Sequence, residues 1–153
     1  MQTPSEGFLI VNNAEPGINE FCDPLTEFMR RRNRNFTVLS YRQLPDINRS
    51  VYRGILLSGS PRGNNIVDHH QPYFQWIRKV NVPVLGICAG HHIIGRVFGA
   101  RLLRDVEREV GDVPVTIDCP DELFKGIPSP FITRQNHHDS ITLPKGFILL
   151  AYS

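Results

Sequence analysis

The sequence is poor in cysteine, methionine and tryptophan, and neither sign of charge dominates it. Three cysteines (Cys22, Cys88 and Cys119) make an odd count without metal-type spacing. That excludes a disulfide framework and a closed zinc site, and points to a reducing, cytoplasmic setting. A net charge of +2 is too small to draw the chain to nucleic acid. The one basic cluster, Arg30, Arg31, Arg32 and Arg34, falls at the end of an expected helix, where cations complement the helix dipole. No apolar run is long enough to span a bilayer. The polar N-terminus, Met1 to Glu6, lacks a signal-peptide pattern. Internal repeats and low-complexity linkers are absent. At 153 residues and 41% hydrophobic content, the chain fits a single domain over 1–153 with a proper core.

What the sequence does contain is concentrated in Gly86-Ile87-Cys88-Ala89-Gly90. The apolar run Val82-Pro83-Val84-Leu85 before it reads as a buried strand. Residues 91–98 after it have helical spacing. The pattern is strand, tight turn, helix, with cysteine at the apex and a glycine two residues away on each side. Nucleophile elbows place serine in the same G-x-nucleophile-x-G frame. Backbones crowd at such a turn, so a Cβ at either glycine would clash. The helix N-terminus beside the sulfur favours its anionic form. A buried structural cysteine in an ordinary turn is the alternative; the two glycines, the strand and the helix together favour the nucleophile.

The rest of the first hundred residues alternates strands and helices. Strands are expected at 7–11, 36–41, 52–57 and 82–85. Helices are expected from near Pro24, with Cys22-Asp23 as the cap region, and over 70–80 with Tyr73, Phe74, Trp76 and Ile77 buried. This predicts a flavodoxin-like three-layer α/β fold around a central, mostly parallel sheet. Ligands of such sheets bind at the carboxyl ends of the strands, where the Ser58-to-Gly63 loop and the Cys88 elbow both fall. Beyond Arg101 the pattern changes to short strands at 102–103, 113–117, 131–133 and 147–150, with a helical turn at 121–124.

A thiol nucleophile needs donors for an oxyanion and a nearby base. Backbone N–H groups of Ala89 and of the Gly59-Ser60 loop are the expected donors. Six histidines come as three adjacent pairs. Neighbours in a helix point about 100° apart, so His69-His70 and His91-His92 are not chelating pairs, and no metal site is expected. His137 and His138, in the polar segment Gln135 to Ser140, either line the same crevice or flank a solvent turn.

Six stretches, in order, are similar to the class I glutamine amidotransferases, the glutaminase domains or subunits of enzymes such as GMP synthetase. They are Ile55 to Pro61, Gly86 to His92, Phe98-Gly99-Ala100 with Glu109-Val110-Gly111, Asp121 to Pro128, Asn136 to Ile141, and Leu143 to Phe147. The resemblance implies that Cys88 forms a glutamyl thioester and releases ammonia to a synthetase subunit or domain, without a cofactor. It implies an oxyanion hole from the Ser60 and Ala89 N–H groups beside Gly59. It places His92 where the family usually has a substrate-holding glutamine, and Asn136, His137 and His138 at the substrate's amino-acid end. The family's H-P-E motif, carrying base and orienting acid, has no counterpart in these residues. A catalytically impaired binding or regulatory module, and another cysteine hydrolase such as a γ-glutamyl hydrolase-like enzyme, are therefore the competing expectations.

Overall fold

The computed structural model describes residues 7–46, 49–62, 66–106 and 108–153. The polar N-terminus and Gly63 of the expected loop lie outside the described residues. Residue packing divides the chain into two compact units, one ending at Phe98 and one covering Gly99–Ser153.

The first unit holds a four-stranded, wholly parallel sheet in the order β2-β1-β3-β4. Its strands are β1 (Phe8–Asn12), β2 (Phe36–Ser40), β3 (Gly54–Leu57) and β4 (Val84–Gly86). Successive side chains of a strand face opposite ways, so each strand feeds two layers. Ile10 packs with Cys22 and Met29 of helix α1 (Asp23–Arg31), and Phe8, Leu25, Phe36 and Leu56 close around them. Leu9, Val11, Ile55 and Leu57 are buried on the other face. Helix α3 (Ala89–Val97) covers that face, since its Gly90 touches Leu57. Helices on both faces of a parallel sheet give the expected three-layer architecture.

Local differences from the sequence reading have physical causes. Helix α1 starts beside Pro24, as expected; Thr26 is buried, and Phe21 and Phe28 are exposed. Thr26 can be buried because its hydroxyl donates to the Asp23 carbonyl at 2.9 Å. The expected helix over 70–80 is a short α2 (Val67–His70) followed by 3₁₀ turns over Gln71–Lys79. Pro72 has no N–H, so the α-helical ladder breaks there. The tighter winding buries Phe74 and Ile77, but leaves Tyr73 exposed and Trp76 half-buried. Leu85 is 54% exposed rather than buried; among the described residues β4 is an edge strand, paired with β3.

In the second unit β6 (Glu109–Ile117) pairs antiparallel with β7 (Phe131–His137), and its end pairs with β9 (Ala151–Tyr152). A separate pair joins β5 (Leu102–Leu103) to β8 (Ser140–Ile141). The expected turn appears as a 3₁₀ helix at Glu122–Phe124, capped by Asp121 Oδ1 accepting the Leu123 N–H at 2.9 Å. The expected strand over 147–150 has no ladder pairing; pairing with β6 begins only at Ala151.

His70 is the least expected feature of the core. It is 1% exposed, stacks on Tyr41 with ring centroids 3.8 Å apart, and neither ring nitrogen has a hydrogen-bond partner. Burial, helped by the neighbouring His69, pushes its imidazole down to about 4. The unfolded chain, with an ordinary histidine, takes up a proton as the pH falls below about 6.5, while the folded chain resists until about 4. Stability is therefore complete above about pH 6.5 and declines as the pH falls through that window. Between pH 7 and pH 5 the loss should be about 2 kcal/mol. Urea denaturation of the protein and of His70→Phe, which keeps the stack but cannot titrate, checks this. Identical pH slopes for the two would contradict it.

Candidate active site

The site begins with the chain reversal after β4. The Ile87 N–H donates to the Leu57 carbonyl at 3.0 Å, which ties the turn to the end of β3. The Gly90 N–H then donates to the Ile87 carbonyl at 3.0 Å, and the His92 N–H to the Cys88 carbonyl at 3.2 Å. Cys88 sits at the apex with φ 52° and ψ −115°, a conformation that L residues rarely adopt. Such strain persists only where the surroundings impose it, and it gathers at functional sites. Here the surroundings are the two glycines. A Cβ on Gly86 would lie 2.5 Å from Gly90 and His91 backbone atoms, and one on Gly90 would lie 2.5 Å from the Leu57 carbonyl oxygen. The sharp reversal turns Cys88 outward, and it is exposed, whereas Cys22 is buried and Cys119 half-buried. Burial, with help from Asp23, pushes the Cys22 thiol up, away from reactivity.

Of the residues expected to form an oxyanion hole, Gly59 and Ala89 lie next to this thiol. Gly59 is packed beside it: a Cβ built on Gly59 would stand 3.5 Å from Cys88 Cβ and 2.8 Å from the Phe21 ring. Any side chain at 59 would therefore invade the space next to the sulfur. Ser60 follows, 4% exposed, with its hydroxyl accepting the Arg62 N–H at 3.3 Å. Ala89 is the first residue of α3, so its N–H has no partner within the helix. His92 lies four residues after Cys88, one helical turn on, and is buried. His91 beside it is exposed.

The remaining predicted residues belong to the second unit. Asn136 and His137 are successive residues of β7 and so face opposite ways. Asn136 and His138 are exposed. His137 Nε2 meets Glu109 Oε2 at 2.9 Å, and the Ser153 hydroxyl donates to the same carboxylate oxygen at 2.8 Å. The β6–β7 register places Glu109 directly opposite His137. The sequence reading quoted both residues but missed their pairing, which only the strand register reveals. It also missed Asn13, which is fully buried and bonded to the loop that carries Gly59 and Ser60. The signal was present: a polar pair, Asn12-Asn13, at the carboxyl end of an apolar strand. Among the described residues no group of three or more metal-ligating side chains is gathered to hold an ion, and no helix is long and apolar enough to cross a membrane.

Known proteins resemble this chain in sequence and in fold. The family described as glutamine amidotransferase class-I matches residues 20–153. The glutamine-hydrolyzing GMP synthase of a Synechococcus strain is 33% identical over 143 residues, which cover 89% of this chain and 26% of that protein. The glutamine-hydrolyzing GMP synthase subunit from Pyrococcus abyssi is 35% identical over 111 residues, covering 72% of this chain and 58% of that one. The chain thus spans about a quarter of the first relative and just over half of the second. A solved glutamine amidotransferase from Thermotoga maritima superposes with a TM-score of 0.76 at 20% identity, covering 96% of this chain and 67% of that chain. At that identity the likeness concerns the fold.

Proposed function

The chain belongs to the class I glutamine amidotransferase family, and on that premise we propose that it hydrolyses glutamine through Cys88 and supplies the ammonia to a synthetase subunit or domain. The observation that carries this reading is the exposed, strained Cys88 at the start of α3, with Gly59 packed against it. Its sulfur attacks the γ-carboxamide carbon of glutamine. The carbonyl oxygen takes the negative charge and is received by the Ser60 and Ala89 N–H groups. Donors fixed in advance where charge develops lower the barrier without reorganising. The proton given up by the thiol passes to the nitrogen, the C–N bond breaks, the nitrogen leaves as ammonia, and the acyl group stays on sulfur. Water attacks the thioester, giving glutamate and restoring the thiol.

His92, one turn along α3, occupies the place of a substrate-holding glutamine in the family. Support for treating residues 1–153 as one amidotransferase domain comes from the family match, which runs through both compact units. A cytoplasmic setting accords with three unpaired cysteines. The GMP synthase relatives suggest a nucleotide synthetase as the ammonia acceptor.

A glutamine analogue with a chloromethyl ketone in place of the γ-amide tests this reading. It should alkylate Cys88, and free glutamine should slow that labelling at concentrations where asparagine does not. Equal protection by both amides would point to a cysteine hydrolase or binding module of other specificity.

A further inference from the structure

The polar core under the oxyanion loop contains a chain of hydrogen bonds that the glutaminase chemistry does not itself require. Asn13, at the end of β1, is fully buried, as is Ser58, at the end of β3. The Asn13 backbone N–H donates to Ser58 Oγ at 3.0 Å, and its side-chain Nδ2 donates to the Ser58 carbonyl at 2.8 Å. The Ser58 hydroxyl, thus used as an acceptor, spends its own proton on the Gly59 carbonyl at 2.8 Å. Below this, the Ser58 N–H donates to the Val11 carbonyl at 3.0 Å, extending the β1–β3 ladder to the base of the loop. Asn13 is held in turn: Asn12 Oδ1 accepts the Ala14 N–H at 3.0 Å, fixing the chain just past it. Asn13 and Ser60 also line one small cleft together.

The last bond in the chain has a directional consequence. The Gly59 carbonyl and the Ser60 N–H belong to one trans peptide plane and point opposite ways. Tying that carbonyl inward to the Ser58 hydroxyl turns the Ser60 N–H away from the Asn13–Ser58 pair. Gly59, which carries the carbonyl, is packed against Cys88. We propose that Asn13 and Ser58 are positioning residues whose hydrogen-bond chain aims the Ser60 N–H at the carbonyl oxygen of an acyl group on Cys88. The assignment rests on the glutaminase reading above. Neither side chain touches substrate; they act through one peptide plane. Released from the chain, the Gly59–Ser60 peptide rotates, and the oxyanion loses a donor while the thiol keeps its exposure.

Two reagents separate these effects. The chloromethyl ketone analogue of glutamine alkylates Cys88 by displacing chloride, after its carbonyl oxygen has lodged in the oxyanion hole. Iodoacetamide alkylates the same sulfur by displacing iodide and needs no oxyanion donor. Loss of an oxyanion donor costs on the order of a hundredfold or more in rate, so a misaimed one in Ser58→Ala should slow the analogue by about 10- to 100-fold. Its iodoacetamide rate should stay within about twofold, since sulfur access and the helix N-terminus are unchanged. Asn13→Asp keeps the shape and the backbone N–H but loses the Nδ2 donor, and should show the same selective loss. Equal slowing of both reagents in both variants, or an unchanged analogue rate in both, would overturn the assignment. If the unaltered protein reacts no faster with the analogue than with chloroacetamide, the glutaminase reading fails and the positioning role falls with it. Discrimination by the unaltered protein that survives in both variants would overturn the positioning role alone.

Discussion

Gly90→Ala is expected to destabilise the protein by about 3 kcal/mol or more and to disorganise the elbow. The added Cβ would stand 2.5 Å from the Leu57 carbonyl oxygen, 2.8 Å from Leu57 Cβ and 2.9 Å from its carbonyl carbon. No rotamer relieves the clash, since a methyl group has none and the main obstacle is backbone. Nor can Leu57 retreat: β3 is bonded to β1 on one side and β4 on the other, and the Leu57 carbonyl also accepts the Ile87 N–H. Gly86→Ala meets the mirror-image obstacle, with Gly90 and His91 backbone atoms at 2.5 Å. Gly17→Ala is the control. Gly17 also lies in the same unit and has φ +86°, but nothing stands within 4 Å of its built Cβ. It should lose only the left-handed penalty of about 1–2 kcal/mol. Urea denaturation of the three variants decides the matter. A Gly90→Ala protein no less stable than Gly17→Ala would mean that the elbow relaxes freely and imposes no conformation on Cys88.

That the elbow could be read from sequence follows from its locality. Both glycines, the cysteine, the strand and the helix lie within 82–98, and the crowding they anticipate involves backbone only. The parallel sheet was readable for a related reason: apolar strands alternating with helices leave few other packings. Features that depend on register or on several segments meeting were not readable. Glu109 finds His137 only through the β6–β7 pairing, 28 residues apart along the chain. Asn13 acquires its role only when the ends of β1 and β3 meet. Periodicity suggested one helix over 70–80, yet the missing N–H of Pro72 and the switch to 3₁₀ winding turned Tyr73 outward. His70 gave no hint of its burial, because two adjacent histidines carry no apolar spacing. The structure instead stacks His70 under Tyr41.

Transfer of a glutamyl group to Cys88 Sγ is tested most directly with an activated γ-ester of glutamate carrying a p-nitrophenolate leaving group. This group departs without protonation, so release of nitrophenolate and mass gain on the protein report attack by sulfur and little else. After a brief exposure and an acid quench, peptide mass spectrometry should find the γ-glutamyl group on the peptide containing Cys88. It should be absent from those containing Cys22, which is buried with a raised thiol pKa, and Cys119. Cys88→Ala should release nitrophenolate at least about a thousandfold more slowly, the scale on which removing a nucleophile acts. A γ-glutamyl group on Cys22 or Cys119, or nitrophenolate release by Cys88→Ala at the rate of the unaltered protein, would contradict Cys88 as the nucleophile.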